Sequence, residues 1–499
     1  MFNIIKLNEK DNIGIAPMPI PENTEVNYGI LTKNKIPFGH KISLKNLKKG
    51  DFIYRYGQII GIAANNISPG EHVHSHNLIF SEFKREYKTT KIKDEKLIKS
   101  ELYFKGYKRK NGKSGTRNYI GLISTVNCSA TVVKKIAENI NIYLSKNNFP
   151  NIDGAVCLKH SSGCGMNNTG YGMEVFNRTI QGFKNHANFG KVFVIGLGCE
   201  CAQINLYKDD IENNKIEYLN IQDEGGTSEI INKVTEKVIS NINEINSIQR
   251  KEISISELTV ALQCGGSDSY SGITANPSLG FASDLIVKHG GSTILSETPE
   301  IYGAEHLLIE RAKTTEIVEK LKKQIEWWKN YTSINGSSLD NNPSPGNKKG
   351  GLTTILEKSL GAVAKGGNSK MVNVLDYSEQ LSSKGFNFMN SPGYDPVSVT
   401  GQVAAGANII CFTTGRGSCF GFKPSPSIKI ATNTNMFNKL EEDMDINAGT
   451  IMDGESSVEK IGKQIFDKII SVASGEKSKS EINGYGDDEF NPWVIGATM

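Results

Sequence analysis

The chain has 499 residues, too many for a single hydrophobic core, so two to four domains are expected. Its apolar and charged fractions, 38% and 22%, are those of a soluble globular protein, and 57 basic against 53 acidic side chains leave a net charge of +4. That balance excludes a general nucleic-acid or membrane surface, and no apolar run approaches the ~20 residues of a membrane span.

The N-terminus, MFNIIKLNEKDN, lacks a charged-then-apolar signal segment, which leads to the expectation of a cytoplasmic protein. In a reducing compartment the eight scattered cysteines are thiols, some of them available as metal ligands or catalytic groups.

Residues 1–82 hold short β-like runs separated by turn signals. The run Ile42 to Tyr54 is echoed by Ile59 to His74, and each passes through a Gly turn flanked by charge or proline, KKGD and SPGE. The reading is a small duplicated β module. It closes on Glu71-His-Val-His-Ser-His-Asn77. On an extended strand His72, His74 and His76 would share one face, and imidazoles at i and i+2 can grip one divalent metal. The alternative is an exposed polar strand face or a substrate-binding lid. Residues 83–105 are charged and poor in apolar side chains, and read as a linker or partly helical tether.

From residue 106 to about 250 strands and helices alternate, which predicts a parallel sheet. Strands are expected at Tyr119–Val126, Gly154–Leu158, Val192–Leu197 and Lys215–Ile221, with helices at Ala130–Leu144, Glu174–His186 and Thr227–Asn241. A polar boundary near Asn246–Ser254 opens a second α/β region, residues 251–499. Its predicted strands are Leu258–Leu262, Thr293–Ser296, Met371–Leu375, Asn408–Phe412 and Ile428–Ala431. One long helix is expected over Ala304–Lys329, a functional or disordered loop over Ile334–Gly351, and a last helix over Val458–Ala473.

Four cysteines fall just past predicted strand ends: Cys128, Cys164 with His160, Cys199 and Cys264. Strand C-terminal ends of open parallel sheets are where ligands bind. Cys157 and Cys411 lie inside strands, as buried structural cysteines do. Cys199-Glu200-Cys201 is too sparse for a zinc knuckle or an iron–sulfur ligand run, although Cys164 and Cys128 could join it in space. The stretch Ala261–Pro277, ALQCGGSDSYSGITANP, delivers a thiol, the Asp268 carboxylate and hydroxyls to one strand end; a turn capping the next helix is the equal rival. Lys159, Lys348, Lys349, Arg416 and Lys423 are cations in similar loops, and Arg suits bidentate carboxylate binding. Gly196-x-Gly198 lacks the third glycine and the acidic partner of a dinucleotide site.

Together the stretches GEHVHSHN (70–77), HSSGCG (160–165), FVIGLGCE (193–200), QCGGSDSYSGITANP (263–277), SETPEIYGAEHLL (296–308), NPSPGNKKGGLTT (342–354), TGRGS (414–418) and IKIATN (428–433) resemble the altronate dehydratase / galactarate dehydratase family. The resemblance covers nearly the whole chain. It implies a multidomain α/β protein: an N-terminal β-clip (SAF) module, a middle α/β domain serving dimerisation, and a C-terminal Rossmann-like parallel sheet. It further implies a hydro-lyase acting on a small sugar acid, dependent on iron(II), with manganese or another divalent metal as the alternative, lacking the cluster of better-known iron–sulfur dehydratases, and assembled as a homodimer. Its pattern supplies cysteines at Cys128, Cys164, Cys199 and Cys264. Length, the ANP after SGIT and the PSPGNKKGG loop favour altronate over galactarate. Fusion of the β-clip to the remainder argues against the related sulfolactate sulfo-lyases, which split the two. A non-catalytic sugar-acid-binding protein is the reading from another class.

The implied reaction takes D-altronate to 2-dehydro-3-deoxy-D-gluconate and water, as in hexuronate (galacturonate) breakdown. A base removes the proton α to the carboxylate, the C3 hydroxyl leaves, and the enol becomes the keto acid. Placement assigns His160, Cys164, Cys199 and Glu200 to catalysis, with His160 the first acid/base candidate. Lys348, Arg416, Ser267 and Asn276 are assigned to substrate. His72, His74, Cys264 and Asp268 are assigned to a metal, with Glu297 as a further candidate at the C-terminal site.

Overall fold

The computed structural model describes residues 2–83, 98, 101–208 and 215–496. Most of the stretch read as a linker, residues 84–97, 99 and 100, lies outside the described residues. Its end does not: Tyr103–Lys108 is a strand, antiparallel to Lys251–Ser254. The alternation of buried Phe104 and Gly106 with exposed Tyr103 and Lys105 seats one face of that strand on the C-terminal core.

The N-terminal module is built from small antiparallel sheets. Ile13–Ile15, Lys41–Ser43 and His72–Val73 form one, and Phe52–Arg55, Gln58–Ala63 and Leu78–Ile79 another. The two sequence echoes pair with each other, since Leu47 and Ile67 exchange both backbone hydrogen bonds at 2.8 Å. Each echo alone has too little apolar face for a core, so the duplication supplies the second half.

The middle sheet is parallel. Its strands are β1 (Tyr119–Ser124), β2 (Gly154–Leu158), β3 (Phe189–Gly196) and β4 (Ile216–Asn220), in the order 2-1-3-4. Helices α1 (Ala130–Ser145), α2 (Tyr171–Lys184) and α3 (Thr227–Ser240) cover both faces, so β1 is buried along its whole length.

The C-terminal sheet holds β5 (Thr259–Cys264), β6 (Ser292–Ser296), β7 (Met371–Leu375), β8 (Phe386–Met389), β9 (Ile409–Thr414), β10 (Ser427–Ala431) and β11 (Ile446–Asn447), all parallel, in the order 7-8-6-5-9-10-11. From β5 the chain first builds outward through β6, then crosses to β9. The topological switch point, where open sheets bind ligands, therefore lies between the ends of β5 and β9.

Two sequence expectations are corrected here. The helix expected over Ala304–Lys329 is two helices, Glu305–Ile309 and α4 (Thr315–Ile334). A β-bridge from Ala312 to Met371 and the Arg311 guanidinium, donating to the carbonyls of Gly366, Gly367 and Ser369, pull the chain out of helix between them. Strand β8 was not anticipated: GFNFMN carries no alternation because both faces are buried.

The domains share cores. Val192, Phe176 and Phe183 of the middle domain pack with Ala261, Val399 and Phe412 of the C-terminal domain. Ile13, Ile53 and Ile60 of the N-terminal module join the C-terminal core that holds Leu262 and Leu279.

Candidate active site at the C-terminal switch point

Cys264 ends β5, and Gly265 turns the chain away. A Cβ built on Gly265 would lie 2.1 Å from Asp395 Oδ2, so only glycine lets that carboxylate approach the strand end. Asp395 opens helix α5 (Asp395–Ala404). Glu297 follows β6 at φ 78°, a left-handed conformation that strains a residue with a Cβ. Such strain persists where surrounding structure imposes it, and it turns the fully buried Glu297 carboxyl towards β5.

Glu297 Oε1 accepts from Gln263 Nε2 at 2.7 Å, while Oε2 has no hydrogen-bond partner; the Lys365 ammonium stands 3.8 Å away. Lys365 Nζ lies 2.8 Å from Cys264 Sγ. Glu300 Oε1 accepts from Lys358 Nζ at 2.6 Å and from Asn342 Nδ2 at 2.8 Å. Burial pushes Glu297 well above the usual carboxylate range, and neighbouring Glu300 adds to that. Burial also works upward on Glu300, but Lys358 and Lys365 outweigh it and hold Glu300 below its ordinary value. Burial pushes the Cys264 thiol up, with Lys365 opposing. Asp395, half-buried beside Glu300, is raised to about 7, chiefly by desolvation. Two carboxyls with separated affinities and two ammoniums thus meet at one strand end, the arrangement that assigns proton donor and acceptor.

Cys264, Glu297 and Glu300 also offer ligand atoms within 4.8 Å of one another. Each of the three groups has an ammonium beside it, Lys365 at Cys264 and Glu297 and Lys358 at Glu300.

A second cluster sits where the N-terminal module meets residues 342–351. The strand carrying His72 stops at Val73, so the predicted His72/His74/His76 alternation ends there. His40 enters instead: His40 Nδ1 and His72 Nε2 are 3.0 Å apart, and the His74 ring stacks on that of His40 at 4.8 Å. His40 Nε2 bonds the Lys349 carbonyl at 3.2 Å and His74 Nε2 bonds the Lys348 carbonyl at 2.9 Å. Burial lowers all three below the ordinary imidazole range, His72 to about 3 and His74 to about 4. A neutral imidazole whose outer N–H is held by a carbonyl fits metal ligation, which describes His40; the second nitrogen of His74 instead meets Ser75 Oγ at 3.0 Å. Below them, Glu357 takes both Lys41 and Arg55 with none of the three exposed.

Other expected site residues are placed differently. Asp268 is buried, and six contacts from Tyr270, Ser271, Thr432 and Asn433 fill both its oxygens, so it pins the turn. Asn276 bridges the Gly361 carbonyl and the Thr413 hydroxyl. Ser267 is buried, and its carbonyl accepts from Asn347. Arg416 is exposed at the end of β9, and Lys348 is half-buried beside the histidines.

His160, Cys164, Cys199 and Glu200 belong to the middle sheet's edge. His160 is buried, its Nε2 on the Ser124 carbonyl at 2.9 Å and its Nδ1 accepting from Ser162 N–H at 3.1 Å. With both ring nitrogens on backbone it fixes loops, and burial lowers it to about 4. Buried Glu200 accepts from Thr125 Oγ1 and the N–H groups of Leu197 and Gly198. Cys164 and Cys199 are exposed.

Sequence reasoning missed Glu300, Lys358, Lys365, Asp395 and His40. Glu300 stands in the SETPE stretch three residues from Glu297, a spacing that could have flagged it. Lys358 and Lys365 interrupt an otherwise buried run seven residues apart. Nothing local marks Asp395 or His40.

Comparison with known proteins places these elements in context. Residues 2–81 match the profile of the altronate/galactarate dehydratase SAF domain, 106–246 the D-galactarate dehydratase/altronate hydrolase second domain, and 255–498 the D-galactarate/altronate dehydratase C-terminal domain. The chain is 34% identical to an altronate dehydratase of Bacillus subtilis, over 97% of this chain and 98% of the relative. It is 37% identical to a galactarate dehydratase (L-threo-forming) of Escherichia coli, over 95% and 93%. It is 28% identical to a (2R)-sulfolactate sulfo-lyase subunit beta of Chromohalobacter salexigens, over 77% and 95%.

Proposed function

The chain belongs to the D-galactarate/altronate dehydratase family, and on that premise we propose that it dehydrates D-altronate to 2-dehydro-3-deoxy-D-gluconate at the β5/β6 strand ends. The observation that carries this reading is the buried set of Glu297, Glu300, Lys358, Lys365 and Asp395, with Glu297 Oε2 lacking a hydrogen-bond partner.

Lys365 and Lys358 hold the substrate carboxylate. Two ammoniums beside it favour the enediolate that forms when the C2 proton leaves. Asp395, raised to about 7, is about half ionised at neutral pH, and its ionised form takes that proton. Glu297, kept protonated by burial, gives a proton to the departing C3 hydroxyl, which leaves as water. The enol then becomes the 2-keto acid. His40 and His72, whose facing ring nitrogens stand 3.0 Å apart, are the pair that would hold iron(II). When bound, it supplies Lewis-acid stabilisation of charge developing on substrate oxygen. The loop beneath the histidines reaches Glu300 through Asn342, which ties the N-terminal module to the proton-transfer site.

The test is incubation of the purified full chain with D-altronate, ferrous iron and a reductant, followed by assay of the 2-keto acid. Galactarate belongs in the same assay because the 37% relative carries that name. Sulfolactate is added with a sulfite readout. Product from no hexonate or hexarate refutes the dehydratase reading; sulfite release would replace it with a sulfo-lyase.

A further inference from the structure

Gln263 is a fully buried glutamine on a strand face that is otherwise apolar. Side chains two apart on a strand share a face, and Ala261 of β5 packs in one core with Val399 and Val403 of α5. Gln263 continues that face to the strand end. A buried amide is costly unless its polar ends are bonded. Here Nε2 donates to Glu297 Oε1 at 2.7 Å, and Oε1 accepts from Ser398 Oγ at 3.4 Å. The proton-transfer steps proposed for this site make no use of Gln263.

Ser398 is held in turn. Ser391 Oγ donates to it at 3.1 Å, and Ser296 Oγ lies 2.6 Å away. Ser391 Oγ accepts the Glu297 N–H at 3.0 Å, and the Ser391 carbonyl accepts the Thr298 N–H at 3.1 Å. Ser391 therefore clamps the chain on both sides of Glu297, the residue at φ 78°. The ring of contacts closes: Glu297 N–H to Ser391, Ser391 to Ser398, Ser398 to Gln263, and Gln263 back to the Glu297 carboxyl. None of the four residues is exposed. Asn390 braces the outside, its Oδ1 accepting from Thr298 Oγ1 and Trp328 Nε1, both at 2.7 Å. A left-handed residue with a Cβ persists only where its surroundings impose it, and these contacts impose it. Ser398 also lies one turn along α5 from Asp395, so the ring that holds Glu297 is anchored on the helix that opens with Asp395.

We propose that Gln263, Ser391 and Ser398 are positioning residues of the dehydration: they hold Glu297 by its backbone and by Oε1 at once, and so reserve Oε2 for substrate at a fixed place relative to Asp395. The proposal rests on the reading of Glu297 and Asp395 as the proton-transfer pair. Ser398 sets the direction of the amide, because a hydroxyl donating to its oxygen turns its nitrogen towards Glu297. Oε1 is thereby spent as an acceptor. Oε2 has no hydrogen-bond partner and stands 3.8 Å from the Lys365 ammonium. Without the ring Glu297 could relax to negative φ and present either oxygen. A misplacement of about 1 Å in a reacting group can cost about 10²-fold in rate, so small buried contacts of this kind carry a kinetic effect.

Two measurements on the purified full chain test this, one of them free of substrate. In difference infrared spectra the Glu297 carboxyl band is the one lost in Glu297→Gln. Gln263→Leu, which keeps a side chain of similar size and removes the donor, should shift that band. Ser398→Ala, the smaller change, should shift it in the same direction. In the D-altronate assay Gln263→Leu should lower kcat by about 10²-fold with KM unchanged, and Ser391→Ala and Ser398→Ala should lower kcat in the same way. A positioning residue acts only through Glu297, so Gln263→Leu should cost nothing further in a Glu297→Gln background, whereas lost packing would cost in both. An unshifted band, parental kcat in Gln263→Leu, or an additive loss in the double variant overturns the proposal. Should the parent turn over no sugar acid, the dehydratase reading falls and the band shift alone decides whether the ring holds Glu297.

Discussion

Glu357→Gln tests whether the N-terminal module is held to the C-terminal domain by charge. Glu357 is fully buried and takes both Lys41 and Arg55. Burial pushes its carboxyl up, but the two cations outweigh burial and bring it down from 4.5 to about 2. Lys41 is itself lowered to about 8, because burial and the Arg55 charge act against it while Glu357 can only partly compensate. The depression of Glu357 corresponds to about 3 kcal/mol, matching the ~3–5 kcal/mol for breaking a buried ion pair from one side. Since the folded value lies below the unfolded one, this stabilisation is complete above pH ~4.5 and is lost as pH falls towards 2. Glutamine leaves buried Arg55 without its counter-charge and removes the carboxylate that keeps buried Lys41 protonated. Hydrogen exchange of the backbone amides of Phe52–Arg55 and Gln58–Ala63 should accelerate by about 10²-fold at neutral pH, about 3 kcal/mol at 1.36 kcal/mol per tenfold. Dehydratase activity should fall with it, because the histidines lose their seat on residues 348–349. Exchange rates within twofold of the parent would refute the reasoning and leave apolar packing as the link.

Other expectations follow from the same geometry. The kcat/KM profile should fall about tenfold per pH unit below about 7 as Asp395 protonates. Asp395→Asn should remove at least about 10²-fold of activity, and an unchanged acid limb in that variant would assign the titration elsewhere. The double variant His72→Ala with His74→Ala should abolish turnover with the fold intact, and undiminished turnover would remove the N-terminal module from the mechanism. His40→Ala should weaken iron(II) retention at least about tenfold, read by metal analysis after dialysis, because it would remove one of the paired nitrogens 3.0 Å apart. Gly163→Ala should destabilise the Cys164 loop, seen as faster alkylation of Cys164, since the new Cβ has no room against Thr125.

Family and architecture were legible in the sequence because both rest on local signals. Apolar runs bounded by glycine marked the strands, and the middle domain's helices and strands fall within a few residues of expectation. The four post-strand cysteines stood out for the same reason: position after a strand is a one-dimensional property. Tertiary structure decided which of them share a site. Cys264 went to the C-terminal switch point, the other three to a different sheet, because strand order is set by crossovers that no local stretch records. It also separated chemistry from scaffolding. Asp268 and His160 look reactive in sequence, yet backbone and hydroxyl donors consume Asp268 and backbone groups consume His160. Lys365, Asp395 and His40 look ordinary, and become candidates only through partners 101, 130 and 32 residues away: Cys264, Gly265 and His72. Burial and long-range charge set proton affinity, and both are properties of the folded chain alone.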